Sequence, residues 1–156
     1  MSFFKKGAAA ATLLAMPVAV HSLPPTASTE AGPAEVHVKV SHLRSAKGAV
    51  LACLTADPQR FPRCTDDGQA KRVQMSAARA QAIVFRGIKP GRYAIALLHD
   101  ENGNGKADRA MAMIPREGFG FSRDAKVKMG PPRFDDAAFA VKQGDTSITI
   151  TMRYML

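Results

Sequence analysis

Hydrophobic and polar residues alternate along several short stretches of the chain, and this alternation sets the fold class. In EVHVKVSHL, Val36, Val38 and Val40 fall on one side and His37, Lys39 and Ser41 on the other, the period-two pattern of a half-buried strand. GAVLACLT, residues 48–55, is a continuous apolar run of strand length that follows the SAKG turn signal as the return arm of a hairpin would. Ile83 and Phe85 open another strand, Lys89-Pro90-Gly91-Arg92 makes a turn, and Tyr93, Ile95 and Leu97 share one face of the strand that follows. The C-terminal TSITITMRYML puts Ile148, Ile150, Met152 and Tyr154 on one side and Thr149, Thr151 and Arg153 on the other.

Residues 57–72 are polar and proline-rich and read as a loop, while MSAARAQA, residues 75–82, suits either a short helix or an edge strand. Tyr93, just behind a Pro-Gly turn, resembles a tyrosine corner, in which the phenol bonds a backbone carbonyl across the corner. Short strands, frequent Gly and Pro turns and no long amphipathic helix predict an all-β chain, most simply an antiparallel two-sheet β-sandwich of about seven strands.

The first residues do not fit that pattern. Lys5 and Lys6 precede GAAAATLLAMPVAV, which has the length of a secretory h-region and is too short to span a bilayer. Residues 1–22 are therefore expected to be a signal peptide, cut after Ser22 or near Ala19, with 23–33 a flexible tether and 34–156 one sandwich domain. A retained anchor is the alternative, against which Pro17 and the end of the apolar run at Val20 both count. No later segment is apolar enough to cross a membrane as a helix, so the expected location is periplasmic or secreted.

Export changes what the charge means. The formal net charge is +9, and it is +7 once Lys5 and Lys6 are removed with the leader. In a cytoplasmic protein this balance would suggest nucleic acid. Outside the cytoplasm it favours solubility, or attraction to an acidic glycan, a lipid headgroup or a cell-envelope protein, and no nucleic-acid partner is expected. The cations Lys71, Arg72, Arg79, Arg86, Arg116, Arg123, Lys126, Lys128 and Arg133 are scattered and read mostly as a solvated face. Cys53 and Cys64 lie close in sequence, and in an oxidising compartment an even count at short separation favours a disulfide. A catalytic thiol or zinc site lacks support, because there is no CxxC and His37, His42 and His99 are not at ligand spacing.

HDENGNGKAD, residues 99–108, is the stretch with the most chemical character. Numbered as a calcium loop, Asp100 is position 1, Asn102 is 3, Asn104 is 5, Gly105 is 6, Lys106 offers its carbonyl at 7 and Asp108 falls at 9. Position 12, where an EF-hand has a bidentate glutamate, is Met111, and Glu101 points away in the simplest geometry, so a Ca²⁺ site here would be weak. Asn and Asp also bond their own backbones in turns, so the same residues suit a loop that holds itself without an ion.

The following segment is interrupted by Pro115, Gly118, Gly120, Pro131 and Pro132. PGRYAIALLHD, HDENGNGKAD, IPREGFGFS and GPPRFDDAAF, in that order, resemble the bacterial family called domain of unknown function 2141 (DUF2141) over about residues 34–154. The resemblance implies small secreted β-sandwiches of prealbumin-like or immunoglobulin-like type, and it supplies no catalytic residues. Within these blocks, Glu117 and Phe119 are expected to line a groove beside the Asp100 loop, with Phe121 and Phe134 in the core beneath it. Asp135 and Asp136 would supply a missing metal carboxylate or a glycosidase-like pair with Glu117, or simply form an acidic loop edge. A His99, Asp100 and Ser122 triad is disfavoured, since no GxSxG elbow is present and alternation puts His99 on the face of Leu97.

Two classes of function follow. The first is an exported, non-catalytic binding or structural module whose 100–108 loop holds Ca²⁺ or presents a recognition tip. The second is a small metal-assisted or carboxylate hydrolase with Asp100, Asp108, Glu117 and Asp136 around one pocket. A deep pocket joining Glu117 and Asp136 to the loop would favour the second, and dispersed acids the first.

Overall fold

The computed structural model describes residues 33–64, 66–105, 107, 109–110 and 114–156, so the expected leader and nearly all of the tether lie outside it. The strands are β1 (Ala34–Ser41), β2 (Ala49–Thr55), β3 (Lys71–Ser76), β4 (Ala82–Ile88), β5 (Gly91–Asp100), β6 (Arg109–Ala110), β7 (Ile114–Pro115), β8 (Gly118–Phe121), β9 (Phe139–Val141) and β10 (Thr146–Thr151). Short 3-10 turns occupy Ala77–Arg79 and Ser122–Asp124, and one helical turn, α1, covers Phe134–Ala137. Eight strands build two sheets, one ordered β10-β1-β4 and the other β3-β2-β5-β8 with β9 also on β5, while β6 and β7 pair only with each other. The chain is the all-β two-sheet sandwich that the alternation predicts. One pairing departs from the antiparallel rule, because β10 runs parallel to β1, with Val38 beside Ile148 and Val40 beside Ile150.

The inward faces carry the residues that the period-two pattern picks out. Val36, Val38, Val40, Val50, Leu54, Ile83, Phe85, Ile95, Leu97, Ile150 and Met152 are buried together between the sheets. Tyr93 packs against this core, and its hydroxyl donates to the Lys89 carbonyl at 3.0 Å, closing the corner as expected. MSAARAQA resolves into the end of β3, the 3-10 turn and the start of β4. The expected loop ends sooner than the reading to residue 72, since β3 begins at Lys71. This is an edge strand whose Val73 and Met75 are only half-buried and whose alternation is masked by flanking cations.

A second core lies on the opposite face of the larger sheet. Phe61, Ala94, Phe119, Phe121, Ala125, Phe134, Ala137 and Ala138 are buried there, and Phe61 sits edge-on to Phe121 at 5.8 Å and to Phe134 at 6.1 Å. The alternating GFGF of β8 thus has a two-sided meaning. Phe119 and Phe121 point to this outer core, while a Cβ on Gly120 would meet Ile150 at 2.8 Å and Met152 at 3.2 Å on the inner side.

The 57–70 segment delivers Phe61 to the outer core and is held by the Cys53–Cys64 disulfide, whose Cα atoms are 6.5 Å apart. Asp67, also buried, accepts from the Thr55 hydroxyl and from the Gln69 N–H at 2.9 Å, which holds its carboxyl below the usual aspartate range. Replacing both cysteines with alanine should cost about 3 kcal/mol, the loop-closure entropy of a ring this size. Urea unfolding of the oxidised protein and the Cys53→Ala, Cys64→Ala variant measures this, and an unchanged midpoint would mean that Asp67 and Phe61 hold the segment alone.

Candidate functional site

Strand β5 carries His99 and Asp100 to one end of the sandwich and aims them differently. His99 follows Leu97 onto the inner face, where it is fully buried. Its Nε2 lies 2.9 Å from the Lys47 carbonyl, which can only accept, so Nε2 carries the proton and Nδ1 accepts from the Tyr154 hydroxyl at 2.7 Å. The Tyr154 oxygen in turn accepts the Arg44 N–H at 3.2 Å. Burial pushes the Tyr154 phenol up from its ordinary pKa, so it stays a donor throughout the range in which proteins fold. Gly118, opposite His99 in the ladder, leaves room for this ring, since a Cβ there would lie 2.6 Å from Tyr154 Cζ.

Asp100 is also buried, and its carboxylate is enclosed by its own loop. Oδ1 accepts the N–H groups of Gly103 at 2.8 Å and Asn104 at 3.1 Å, and Oδ2 accepts that of Gly105 at 2.7 Å. Asn102 Oδ1 accepts the Asn104 N–H as well, at 3.0 Å. Gly103 and Gly105 have φ of 75° and 72°, the left-handed conformation that lets successive N–H groups turn inward. Two of the proposed calcium ligands, Lys106 and Asp108, lie outside the described residues, as does Met111. Among the described residues, no group of three or more His, Cys, Asp or Glu is placed to hold a metal.

Glu101 does not turn away unpartnered. The Arg44 guanidinium donates through Nε to Glu101 Oε2 at 3.0 Å, and Ser45 Oγ donates to Oε1 at 2.7 Å. Arg44, first, and then Ser45 hold the Glu101 carboxyl down at about 2. The same guanidinium bonds the Arg116 carbonyl at 3.1 Å and the Leu156 carbonyl, and lies 4.4 Å from the centre of the Tyr154 ring. Arg44 therefore ties four chain segments together. Pattern reading passed over it because a lone arginine in a turn looks the same whether or not distant carbonyls converge on it.

The other predicted residues are not gathered around this loop. Glu117 is buried and precedes Gly118, so it belongs to the loop end, but Phe119 points into the outer core. The groove expected from Glu117, Phe119 and Asp136 does not form, because GFGF alternation turns Phe119 away and α1 lies at the opposite end of β5. Asp135 pairs with Arg92 at 2.7 Å, eight residues before Asp100, a separation of about 27 Å along an extended strand. Asp136 is beside Arg133 at 3.5 Å, an acidic loop edge rather than half of a carboxylate pair. Phe121 and Phe134 are in the outer core, but Phe134, the first residue of α1, lies beside Arg92 at the start of β5 and not beneath the Asp100 loop. Ser122 is buried far from His99, where its Oγ accepts from Ile95 N at 2.9 Å and donates to Ala137 O at 2.6 Å.

A second candidate surface surrounds α1. Residues 123–136 enclose an open depression of about 670 Å³ lined by Arg123, Lys126, Lys128, Met129 and Arg133, with Asp124, Asp135 and Asp136. Four cations that look scattered in sequence therefore meet in one place.

Asp100→Ala should destabilise the protein by about 2–4 kcal/mol even in EDTA, since three charge-assisted N–H bonds lose their acceptor. Calorimetry without metal checks this, and a loss confined to calcium-containing buffer would contradict it. Glu101→Gln tests the Arg44 cluster through pH. A carboxyl held at about 2 when folded, against an ordinary 4.5, stabilises fully above pH 4.5 and loses that effect as pH falls toward 2. The Tm gap between the wild type and Glu101→Gln should therefore correspond to about 1 kcal/mol at pH 7 and close by pH 2. A gap independent of pH would remove the ion pair from the account.

The chain matches no curated protein and no solved structure. A match is found at the level of the family, over nearly the span that the sequence blocks imply. Residues 38–149 match the family described as "Uncharacterized protein conserved in bacteria (DUF2141)", well over half of the chain, and the protein belongs to that family.

Proposed function

We propose that the protein is an exported, non-catalytic module that binds an anionic component of the cell envelope. The observation that carries this reading is the contrast between its two ends. His99, Asp100 and Ser122, the residues with nucleophile or acid–base potential, are buried with their polar atoms engaged by backbone or Tyr154, so none is presented to a substrate. The 123–136 surface, by contrast, is open and offers cations to solvent. The hydrolase alternative needs Asp136 beside Glu117 and the Asp100 loop, and the length of β5 separates them.

In this reading the 100–108 loop is a self-held turn. Three N–H groups occupy three of the roughly four acceptor directions of the Asp100 carboxylate, which leaves it a poor lone anchor for Ca²⁺.

The test is retention on dextran sulfate against plain dextran, with thermal unfolding in EDTA and in ~10 mM calcium run alongside. Binding to the sulfated polymer alone, weakening steeply with salt, is the expected result, together with an unchanged Tm in calcium. A calcium-dependent rise in Tm abolished by Asp100→Ala, Asp108→Ala would instead make the loop an ion clamp. Absence of salt-sensitive binding would overturn the anion-binding reading.

A further inference from the structure

We propose that the loop around Met129 docks the protein onto an anionic lipid bilayer, which deepens the envelope-binding reading and rests on it. The base of this loop is rigid. The Arg153 guanidinium donates to the carbonyls of Asp124 at 2.8 Å and Ala125 at 3.0 Å, and the Asp124 carboxylate accepts from Thr151 N at 2.8 Å and Thr151 Oγ1 at 3.2 Å. These bonds hold Arg123 and Asp124 at φ of 58° and 48°, a left-handed pair that costs energy in non-glycine residues and turns the chain outward. Phe134 and Ala125 pin the two sides of the loop to the outer core.

What this base presents is amphipathic. Met129 is fully exposed, the most exposed large apolar side chain among the described residues, between the exposed Lys128 and the Gly130-Pro131 turn. Of the acids nearby, Asp135 is paired with Arg92 and Asp136 with Arg133, while the Asp124 carboxylate is turned inward onto Thr151 at the base of the loop. Lys126 and Lys128 have no carboxylate partner among the described residues, so the outward charge of the loop is positive. An unbranched apolar tip flanked by long cationic side chains suits the boundary between headgroups and acyl chains, where lysines reach phosphates while methionine enters the apolar layer. A soluble acidic glycan would use the lysines and leave Met129 in water, so the methionine favours the bilayer.

The experiment is vesicle flotation of the oxidised protein, in the form to which the expressing cell processes it. Phosphatidylglycerol–phosphatidylcholine vesicles are compared with pure phosphatidylcholine, and dextran sulfate serves as a polymer control. Binding to the anionic vesicles alone is expected, weakened at least about twentyfold by Lys126→Glu, Lys128→Glu, because each lysine near such a surface contributes about a fivefold factor. Met129→Ser should weaken vesicle binding severalfold and leave dextran sulfate binding unchanged. Lys39→Glu, Lys142→Glu, an equal charge change at exposed positions elsewhere, should do little, and circular dichroism confirms that every variant is folded. Equal losses in the two charge-reversed variants, or indifference to Met129→Ser, would overturn membrane docking by this loop. Dextran sulfate binding without vesicle binding would overturn it while the wider anion-binding reading stands, and binding to neither probe would overturn both.

Discussion

Strand β5 is fully buried on its inner face and largely covered on its outer face from Ala94 onward. Tyr93, Ile95, Leu97 and His99 point to the inner face between the sheets, and Ala94 and Ala96 point to the core on the far face, with Leu98 half-buried beyond them. A strand covered on both faces must satisfy every polar group from within the protein, because an unmet donor or acceptor there costs about 1–3 kcal/mol. Much of the remaining architecture meets that demand. Two short strands share one edge of β5, with β9 along Gly91–Tyr93 and β8 along Ala96–His99, and in the gap between them the Ser122 hydroxyl accepts the Ile95 N–H that no strand reaches. Where the strand leaves the cores, His99 and Asp100 carry polar atoms into buried positions, and backbone and Tyr154 answer both.

The two ends of the sandwich consequently differ in kind. At the Asp100 end, hydrogen bonds run from Arg44 through Tyr154 and His99 to Lys47, and from Arg44 to Glu101, Arg116 and Leu156, so several loops share one network. Such networks rigidify, and removing one member leaves the others buried and unmet. At the other end, the 123–136 segment is fixed at its base and open at its tip, with charge left over. Rigidity and available chemistry are spatially separated, and the proposed binding role rests on the second.

Much of the fold was legible in the sequence, because alternation reports directly on which side of a strand is buried. Val36, Val38 and Val40, the Tyr93 corner and the Cys53–Cys64 pair are all visible in the chain alone. Strand β3 was not, since an edge strand with Lys71 and Arg72 at its start satisfies its pattern with half-buried residues and resembles a loop. The site was less legible still. The spacing of Asp100, Asn102 and Asn104 says that oxygens converge, but N–H donors and a cation both draw oxygens inward, and only geometry identifies the donors. Phe119 and Asp136 were misplaced for a related reason. Nearness in sequence to Glu117 does not survive a strand that alternates faces or a loop that returns to the far end of β5. Arg123, Lys126, Lys128 and Arg133 looked dispersed because the turn that gathers them depends on the distant Arg153 and Thr151.

The parallel pairing of β1 with β10 sets the order in which the protein can be completed. Strand β1 begins at Ala34 and its partner at Thr146, so the three-stranded sheet remains a two-stranded ribbon until residues 146–151 pair with β1. Pairing across so long a stretch of chain is slow, because loop closure comes before any compensating contact. Until β10 arrives, β1 shows an open edge and the core lacks Ile150 and Met152, an aggregation-prone state. Completion of this sheet therefore waits on β10, and a product truncated before Thr146 is left with a recognisable exposed edge.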